Sequence, residues 1–315
     1  MIKAKAQLDI TSVKKTVEIK IKFSTENQVT LYNGNCLNFL KTIPDKSIQL
    51  IVTSPPYNVG KPYEKKLKLE QYVAQQKKVI DECVRVLKDE GSICWEVGNY
   101  VENGEIIPLD ILLYDIFRQN GLQLRNRIVW HFRHGLHCAK RFSGRYEIIM
   151  WFTKTDDYIF NLDDVRVPQK YPGKKYFKGP KAGEYSCHPN GKNPSDVWDI
   201  PNVKSNHVEK TIHPCQFPIS LVQRLILALS RENDIVFDPF LGVGSTVVAA
   251  IINNRKAAGS EILKEYYDIA CERTILAYKG LLKIRPDIPV YEPPDNLSLI
   301  KNPFLPNNGV LYENY

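Results

Sequence analysis

The 315-residue sequence contains no pair of cysteines at the C-x-x-C spacing, and its seven cysteines are an odd number thinly spread. That excludes a disulfide scaffold and fits reduced thiols. No apolar run approaches the roughly 20 residues that a membrane helix needs. The first residues alternate lysines with short apolar stretches and never build a signal-peptide core. The expectation is a cytoplasmic chain that neither crosses a membrane nor is exported. Internal repeats and low-complexity tracts are also missing, which excludes a solenoid or a whole-chain disordered protein. Acidic residues are in deficit, 35 against 43 basic ones, for a net charge of +8. A positive field of this kind suits a polyanionic partner such as nucleic acid. The chain is 43% hydrophobic and 25% charged, ordinary for a globular protein long enough to bury a full core.

What is present is an alternation. Residues 1–28 read as a Lys-rich arm with one edge strand, Val17, Ile19, Ile21 and Phe23 alternating along it. A compact unit begins near Val29. A short helix is expected over 37–40 and a buried strand over 48–53, ended by Pro55 and Pro56. A helix over 69–87, a turn at Gly91, a strand over 92–97, a helix over 109–119 and strands over 124–131 and 147–152 follow. The pattern stops between 163 and 211, a stretch rich in Pro, Gly, Lys and Asn that is too long for a connector. It resumes with a helix from Pro218 to Ser230, a strand over 235–237, a glycine turn, a helix to about Asn253 and a strand over 257–261. This spacing predicts an α/β fold, Rossmann-like, with a doubly wound and mostly parallel sheet. Residues 29–162 and 212–285 form its two halves, 163–211 a smaller insertion, and 286–315 a loop-like tail.

Two motifs carry chemistry. The first runs Asp238, Pro239, Phe240, Leu241, Gly242, Val243, Gly244, Ser245, Thr246. A strand, a G-x-G turn and a helix in this order let backbone amides approach a nucleotide-like ligand. Glu261, ending the next strand, stands where a carboxylate would grip ribose hydroxyls. The second is Ser54, Pro55, Pro56, Tyr57. Two prolines after a buried strand leave carbonyls as bare acceptors, Ser54 adds a hydroxyl, and Tyr57 adds a flat face with a polar tip. That set suits a planar ligand bearing an NH₂ group.

Together the motifs resemble the β-class DNA amino-methyltransferases of bacterial restriction–modification systems, which carry S/D-P-P-Y first and D-P-F-x-G-x-G-[ST] last. The resemblance spans residues 29–277 and includes His213, Pro214, Cys215, Gln216, Phe217, Pro218, similar to that family's H-P-[TA]-Q-K-P. It implies S-adenosyl-L-methionine as cofactor. The binding set it implies is Asn35, Asp238, Phe240, Gly242, Gly244, Ser245, Thr246 and Glu261, supported by His213, Gln216 and Pro218. It implies Ser54, Pro55, Pro56 and Tyr57 as the catalytic set, accepting protons from the amine of a flipped-out base, adenine N6 or cytosine N4, with Tyr57 stacking on it. It also implies target recognition within 163–211, double-stranded DNA as partner, and a restriction endonuclease acting on the same site. Two departures stand out: Asn35 replaces the family's usual acid, and Phe217 its usual Lys.

Basic residues in two stretches are expected at DNA phosphates: Arg133, Lys140, Arg141 and Arg145, and Lys174, Lys175 and Lys178 among Tyr171, Tyr176 and Phe177. His131, His134, His137 and Cys138 match no standard zinc spacing, so no metal is expected. Pro214-Cys215-Gln216 spells the nucleophile triplet of cytosine-C5 methyltransferases, but it precedes the cofactor loop instead of following it. The rival readings are an RNA or protein-glutamine amino-methyltransferase, whose loops come in the opposite order, and a catalytically silent DNA-binding module. A nicotinamide enzyme would want a third glycine where Val247 stands.

Overall fold

The computed structural model describes residues 17–286 apart from 62, 134, 136, 170, 172, 205 and 206. The first sixteen residues of the N-terminal arm, the tail from 287, and His134 of the histidine cluster lie outside the described residues. Every described residue except Pro286 belongs to the unit Met1–Arg285.

Eleven strands and six helices are described. In chain order they are β1 (Ile19–Lys20), β2 (Val29–Asn33), α1 (Cys36–Leu40), β3 (Ile48–Thr53), α2 (Leu69–Val86), β4 (Leu87–Val97), β5 (Asn99–Glu102), β6 (Glu105–Pro108), α3 (Leu109–Gln119), β7 (Gln123–His131), β8 (Tyr146–Thr153), β9 (Val197–Asp199), α4 (Ile219–Leu229), β10 (Ile235–Asp238), α5 (Ser245–Ile252), β11 (Lys256–Glu261) and α6 (Lys264–Tyr278). Nine strands form one sheet in the order β1-β2-β11-β10-β3-β4-β8-β7-β9, and β5 and β6 pair as a separate hairpin. Neighbours from β1 to β4 are parallel, β8 is antiparallel to both β4 and β7, and β9 runs parallel to β7.

The central strands are apolar on both faces because helices cover both. All six residues of β3 are buried, as a parallel strand between two helical layers requires. One core gathers α1, α2 and α3 with Ile51, Ile93 and Trp95. The other gathers α4, α5 and α6 with Leu50, Val52 and Val236. The chain winds outward in both directions from the β3/β10 pair. That makes the C-terminal ends of those two strands the switch point at which such sheets bind ligands.

Two expectations are corrected. Gly91 is not a turn: α2 passes directly into β4, which runs through Gly91. A Cβ at residue 91 would lie 2.8 Å from Leu87 Cδ1 and 2.9 Å from the Gln49 carbonyl, so this glycine permits close strand packing. The 163–211 stretch is not wholly an insertion, because β9 extends the main sheet through Trp198 opposite Trp130. The rest of it holds isolated bridges, Val167 to Lys192 and Lys175 to Tyr185. The α6 helix and the β5–β6 hairpin had no sequence expectation at all.

Candidate active site

Both motif loops leave the sheet at the switch point, and one buried carboxylate ties them together. Asp238 is fully buried. Its Oδ1 accepts from Thr53 Oγ1 at 2.6 Å and from the Phe240 amide at 3.0 Å, and its Oδ2 from Thr246 Oγ1 at 2.7 Å. Thr53 precedes Ser54, and Thr246 lies in the first turn of α5. Burial pushes the carboxyl up to about 6, and the three donors pull the other way.

The result is an open cleft of about 180 Å³. Ser54, Pro55, Pro56 and Tyr57 line it from β3. Asn35, Phe240, Gly242, Ser245 and Glu261 line it from the other loops, with His213 and Gln216 closing one side. Asp238, Gly244, Thr246 and Pro218, expected against a cofactor, are not among its lining residues. They stand behind it: Asp238 and Thr246 as the tie just described, Gly244 as the N-cap of α5, and Pro218 as the N-cap of α4.

Each lining group is held by the fold. Glu261 Oε2 accepts from the Gly242 amide at 2.9 Å and Oε1 from the Leu263 amide at 2.8 Å, and burial raises its proton affinity. Asn35 Oδ1 caps α1 by accepting from the Leu37 amide at 2.9 Å. His213 stacks on Tyr63 with centroids 5.2 Å apart and meets Tyr266 edge-on at 4.7 Å. Burial, with Lys210 and Arg273 nearby, depresses its titration to about 4, so the ring is neutral at physiological pH. Gln216 spends its amide inside the protein: Nε2 donates to the Glu209 carbonyl at 2.7 Å, and Oε1 accepts from Thr211 N and Oγ1. Phe240 meets Trp95 edge-on.

On the other wall, Ser54 Oγ and Tyr57 OH are 2.9 Å apart, and Tyr57 OH donates to Glu96 Oε2 at 2.6 Å. Asn58, in the left-handed region at φ +62, fixes the loop beyond it. Its Nδ2 donates to the Leu67 carbonyl at 2.9 Å, and its Oδ1 accepts from the Leu67 amide at 2.7 Å. Glu96, Tyr63 and Tyr266 escaped sequence reasoning. Only Glu96 left a signal, as the one acid in the otherwise apolar run Ile93–Val97.

The basic residues fall into two sets. β7 runs in the same direction as β3 and β4, so its last residue, His131, lies at the end of the sheet that carries Ser54. Lys140 and Arg141 are exposed in the link to β8, Phe142 beside them is 99% exposed, and Arg133 is paired with Asp199 at 3.0 Å. Arg145 Nη1 donates to the Gly144 carbonyl. Lys174, Lys175 and Lys178 form the second set, with Lys175 over the Tyr185 ring and Lys178 over Phe177. His131 Nδ1 lies 3.2 Å from Asp199 Oδ1, and the Cys138 amide donates to Ser143 Oγ. Among the described residues, no cluster of His, Cys, Asp or Glu could hold a metal ion. Cys215 does line the cleft, its amide donating to His213 Nδ1. No described helix is long and apolar enough to cross a membrane.

The tie predicts its own test. Asp238→Asn keeps an acceptor for Thr53 and Phe240 and a partner for Thr246, while removing the buried charge. A carboxyl raised from 3.8 to about 6 on folding loses stability as pH rises between those values, by about 3 kcal/mol. The expected result is that melting temperatures of wild type and Asp238→Asn diverge as pH rises from 4 to 7, the variant gaining. Equal slopes would remove the buried-charge account.

The pairing of glycine and acid fits S-adenosyl-L-methionine on one observation in particular. The Gly242 amide holds the Glu261 carboxylate at the cleft, and the atom nearest to a Cβ at Gly242 would be His213 Nε2 at 3.5 Å, an ordinary contact. Comparison with known proteins bears on the same residues. The sequence matches the DNA methylase family of N6 and N4 methyltransferases over residues 48–272. It is similar to the type II methyltransferase M.BglII of Bacillus subtilis, at 51% identity over 80% of this chain and 70% of that protein. The fold is similar to that of the cytosine-N4-specific PvuII DNA methyltransferase, with a TM-score of 0.63 and 21% identity over 80% of this chain and 92% of that one. It is also similar to a Thermus thermophilus protein, described as a DNA modification methylase and complexed with S-adenosyl-L-methionine. That pair has a TM-score of 0.56 and 24% identity over 79% and 94% of the two chains.

Proposed function

The chain belongs to the DNA methylase family of N6 and N4 methyltransferases, and from that premise we propose how its cleft methylates a base. The protein is a DNA amino-methyltransferase that uses S-adenosyl-L-methionine. When bound, that cofactor supplies an electrophilic methyl group on a sulfonium. Glu261 takes the ribose hydroxyls, Gly242 leaves room for the ligand backbone, and Asn35, Phe240 and His213 wall the remainder. Ser245, opening α5, offers its hydroxyl at the helix N-terminus, where a carboxylate is favoured.

Ser54 Oγ and the Pro55 carbonyl accept the two N–H protons of the target amine. An amine conjugated to a base is a weak nucleophile, because its lone pair is delocalised. Accepting both protons draws the nitrogen toward tetrahedral geometry and localises that pair. The contribution is positioning and electrostatics. Such an amine lies inside a duplex, so the base leaves the stack, and Tyr57 receives it. The basic residues Lys140, Arg141, Arg133 and Arg145, with Lys174, Lys175 and Lys178, take phosphates. The acceptor is the adenine N6 or cytosine N4 of double-stranded DNA in a bacterial cytoplasm, at a site shared with a cognate restriction endonuclease.

The observation that carries this reading is the Asp238 bridge between Thr53 and Thr246. It fixes the amine-accepting loop against the cofactor loop across one cleft. The test is transfer of labelled methyl from S-adenosyl-L-methionine to unmodified bacterial DNA, followed by digestion to nucleosides and mass spectrometry. Label in N6-methyladenine or N4-methylcytosine is expected, and it identifies the base. Label on cytosine C5 would assign the chemistry to Cys215, and label on RNA or protein alone would overturn the DNA assignment.

A further inference from the structure

Behind the amine-accepting loop lies a pair of carboxyls to which the reaction above gives no task. Glu96 on β4 is 4% exposed. Glu147 on β8 lies diagonally across the ladder from it, since Glu96 stands opposite Ile149. The two carboxyls are close enough for Glu96 to disfavour ionisation of Glu147. Gly98 makes the room: a Cβ there would lie 3.1 Å from Tyr57 Cε2 and 3.2 Å from Glu147 Oε1. Glu96 Oε1 is buried and finds no N–H or O–H donor among the described residues. Burial, and then the charge of Glu96, hold Glu147 well above the usual carboxylate range.

The hydroxyls in front of this pair have a fixed direction. Tyr57 OH donates to Glu96, so its oxygen is free to accept, and the group 2.9 Å away is Ser54 Oγ. Ser54 therefore donates inward, and its lone pairs face the cleft. Burial keeps Tyr57 protonated far above neutral pH, so the phenol passes a proton on without forming a stable phenolate.

Resting on the proposed amino-methylation, we propose that Glu96 and Glu147 form the proton store of the reaction, reached from the target amine through Ser54 and Tyr57. When the amine nitrogen gains its methyl, it must lose one N–H proton. That proton goes to Ser54 Oγ, the Ser54 proton to Tyr57 oxygen, and the Tyr57 proton to Glu96 Oε2. Glu96 thereby becomes a carboxylic acid, and it returns the proton to solvent before the next turnover. The groups facing the pair are Ser54 and Tyr57 from the loop after β3, with Cys215 and Lys204 from the loops before α4 acting at longer range. Lys204 favours the ionised form and Cys215 opposes it.

The experiment is single-turnover methyl transfer with saturating cofactor and DNA, across pH 5 to 9. Glu96→Gln keeps an acceptor for Tyr57 but cannot take a proton. Its rate is expected to fall at least about 100-fold, with the cofactor dissociation constant within about threefold of wild type. Wild type loses rate on acidification as the pair fills, and this limb is expected to be absent from Glu96→Gln. Tyr57→Phe keeps the ring and cuts the chain, so its rate falls by a similar factor. Glu96→Asp recovers part of the rate. A Glu96→Gln rate near wild type with an unchanged pH profile would overturn the proton store. So would a fully active Tyr57→Phe, which also decides the matter if Glu96→Gln fails to fold. Absence of transfer by wild type would instead strike the proposed function itself.

Discussion

Ser54→Ala is expected to lower the rate of methyl transfer by about 100- to 10,000-fold, with cofactor affinity nearly unchanged. Under the proposed function Ser54 meets the target amine, and its lone pairs are free to accept because its own proton is committed to Tyr57 at 2.9 Å and the Tyr57 proton to Glu96 at 2.6 Å. Removing Oγ takes away one of the two acceptors that localise the nitrogen lone pair, and the Pro55 carbonyl alone cannot replace it. It also cuts the route by which the amine sheds its proton. The cost to folding is small, because Ser54 is half-buried at the cleft and, among the described residues, its hydroxyl bonds only to Tyr57 of its own loop. Cofactor binding should survive, because the Asp238 tie uses Thr53, not Ser54. The measurements are single-turnover rates and calorimetric titration with S-adenosyl-L-methionine. A wild-type rate would remove Ser54 from the chemistry, and a lost cofactor site would show that the loop is structural.

This division between Thr53 and Ser54 shows what was legible in the sequence. The β-branched run of β3, the prolines that end it and the glycine turn before α5 are local signals, and they gave the strand, the turn and the order of the two loops. From that order the doubly wound sheet and its switch point follow, and Ser54, Tyr57, Gly242 and Glu261 meet there. The direction a side chain takes at the end of a strand is not local. Asp238 sits in the cofactor motif yet turns inward, because Thr53 and Thr246 reach it from elements 185 and 8 residues away. Gln216 likewise exhausts its amide on Glu209 and Thr211. The Glu96–Glu147 pair depends on the register of β4 against β8 and on a glycine at 98. No window of sequence carries that register. Gly91 misled for the opposite reason: a glycine between helix and strand normally marks a turn, but here it lets Leu87 and the Gln49 carbonyl come close.

The two glycines of the cofactor loop should fail in different ways, and the second largest expected effect rests on that contrast. Both have positive φ, +53 at Gly242 and +81 at Gly244. A motif reading assigns both to space for the ligand, so Gly244→Val would act by filling the cleft. The geometry says otherwise. A Cβ at Gly244 points at α6, 3.1 Å from Ala270 Cβ and 3.3 Å from its Cα. Valine there adds backbone strain of about 1–3 kcal/mol and overpacking of about 1–3 kcal/mol. The expected result is a melting temperature lower by about 10 °C, with cofactor binding lost because α5 and its loop no longer hold their place. At Gly242 the nearest atom to a Cβ is His213 Nε2 at 3.5 Å, across the cleft wall. Gly242→Ala therefore carries about 1 kcal/mol of left-handed strain and keeps the fold. Its methyl group narrows the cleft beside His213, so under the proposed function cofactor affinity should fall at least about tenfold. Thermal melting and calorimetric titration of the two variants together decide the matter. A Gly244→Val protein that melts like wild type while losing cofactor would return Gly244 to the cleft.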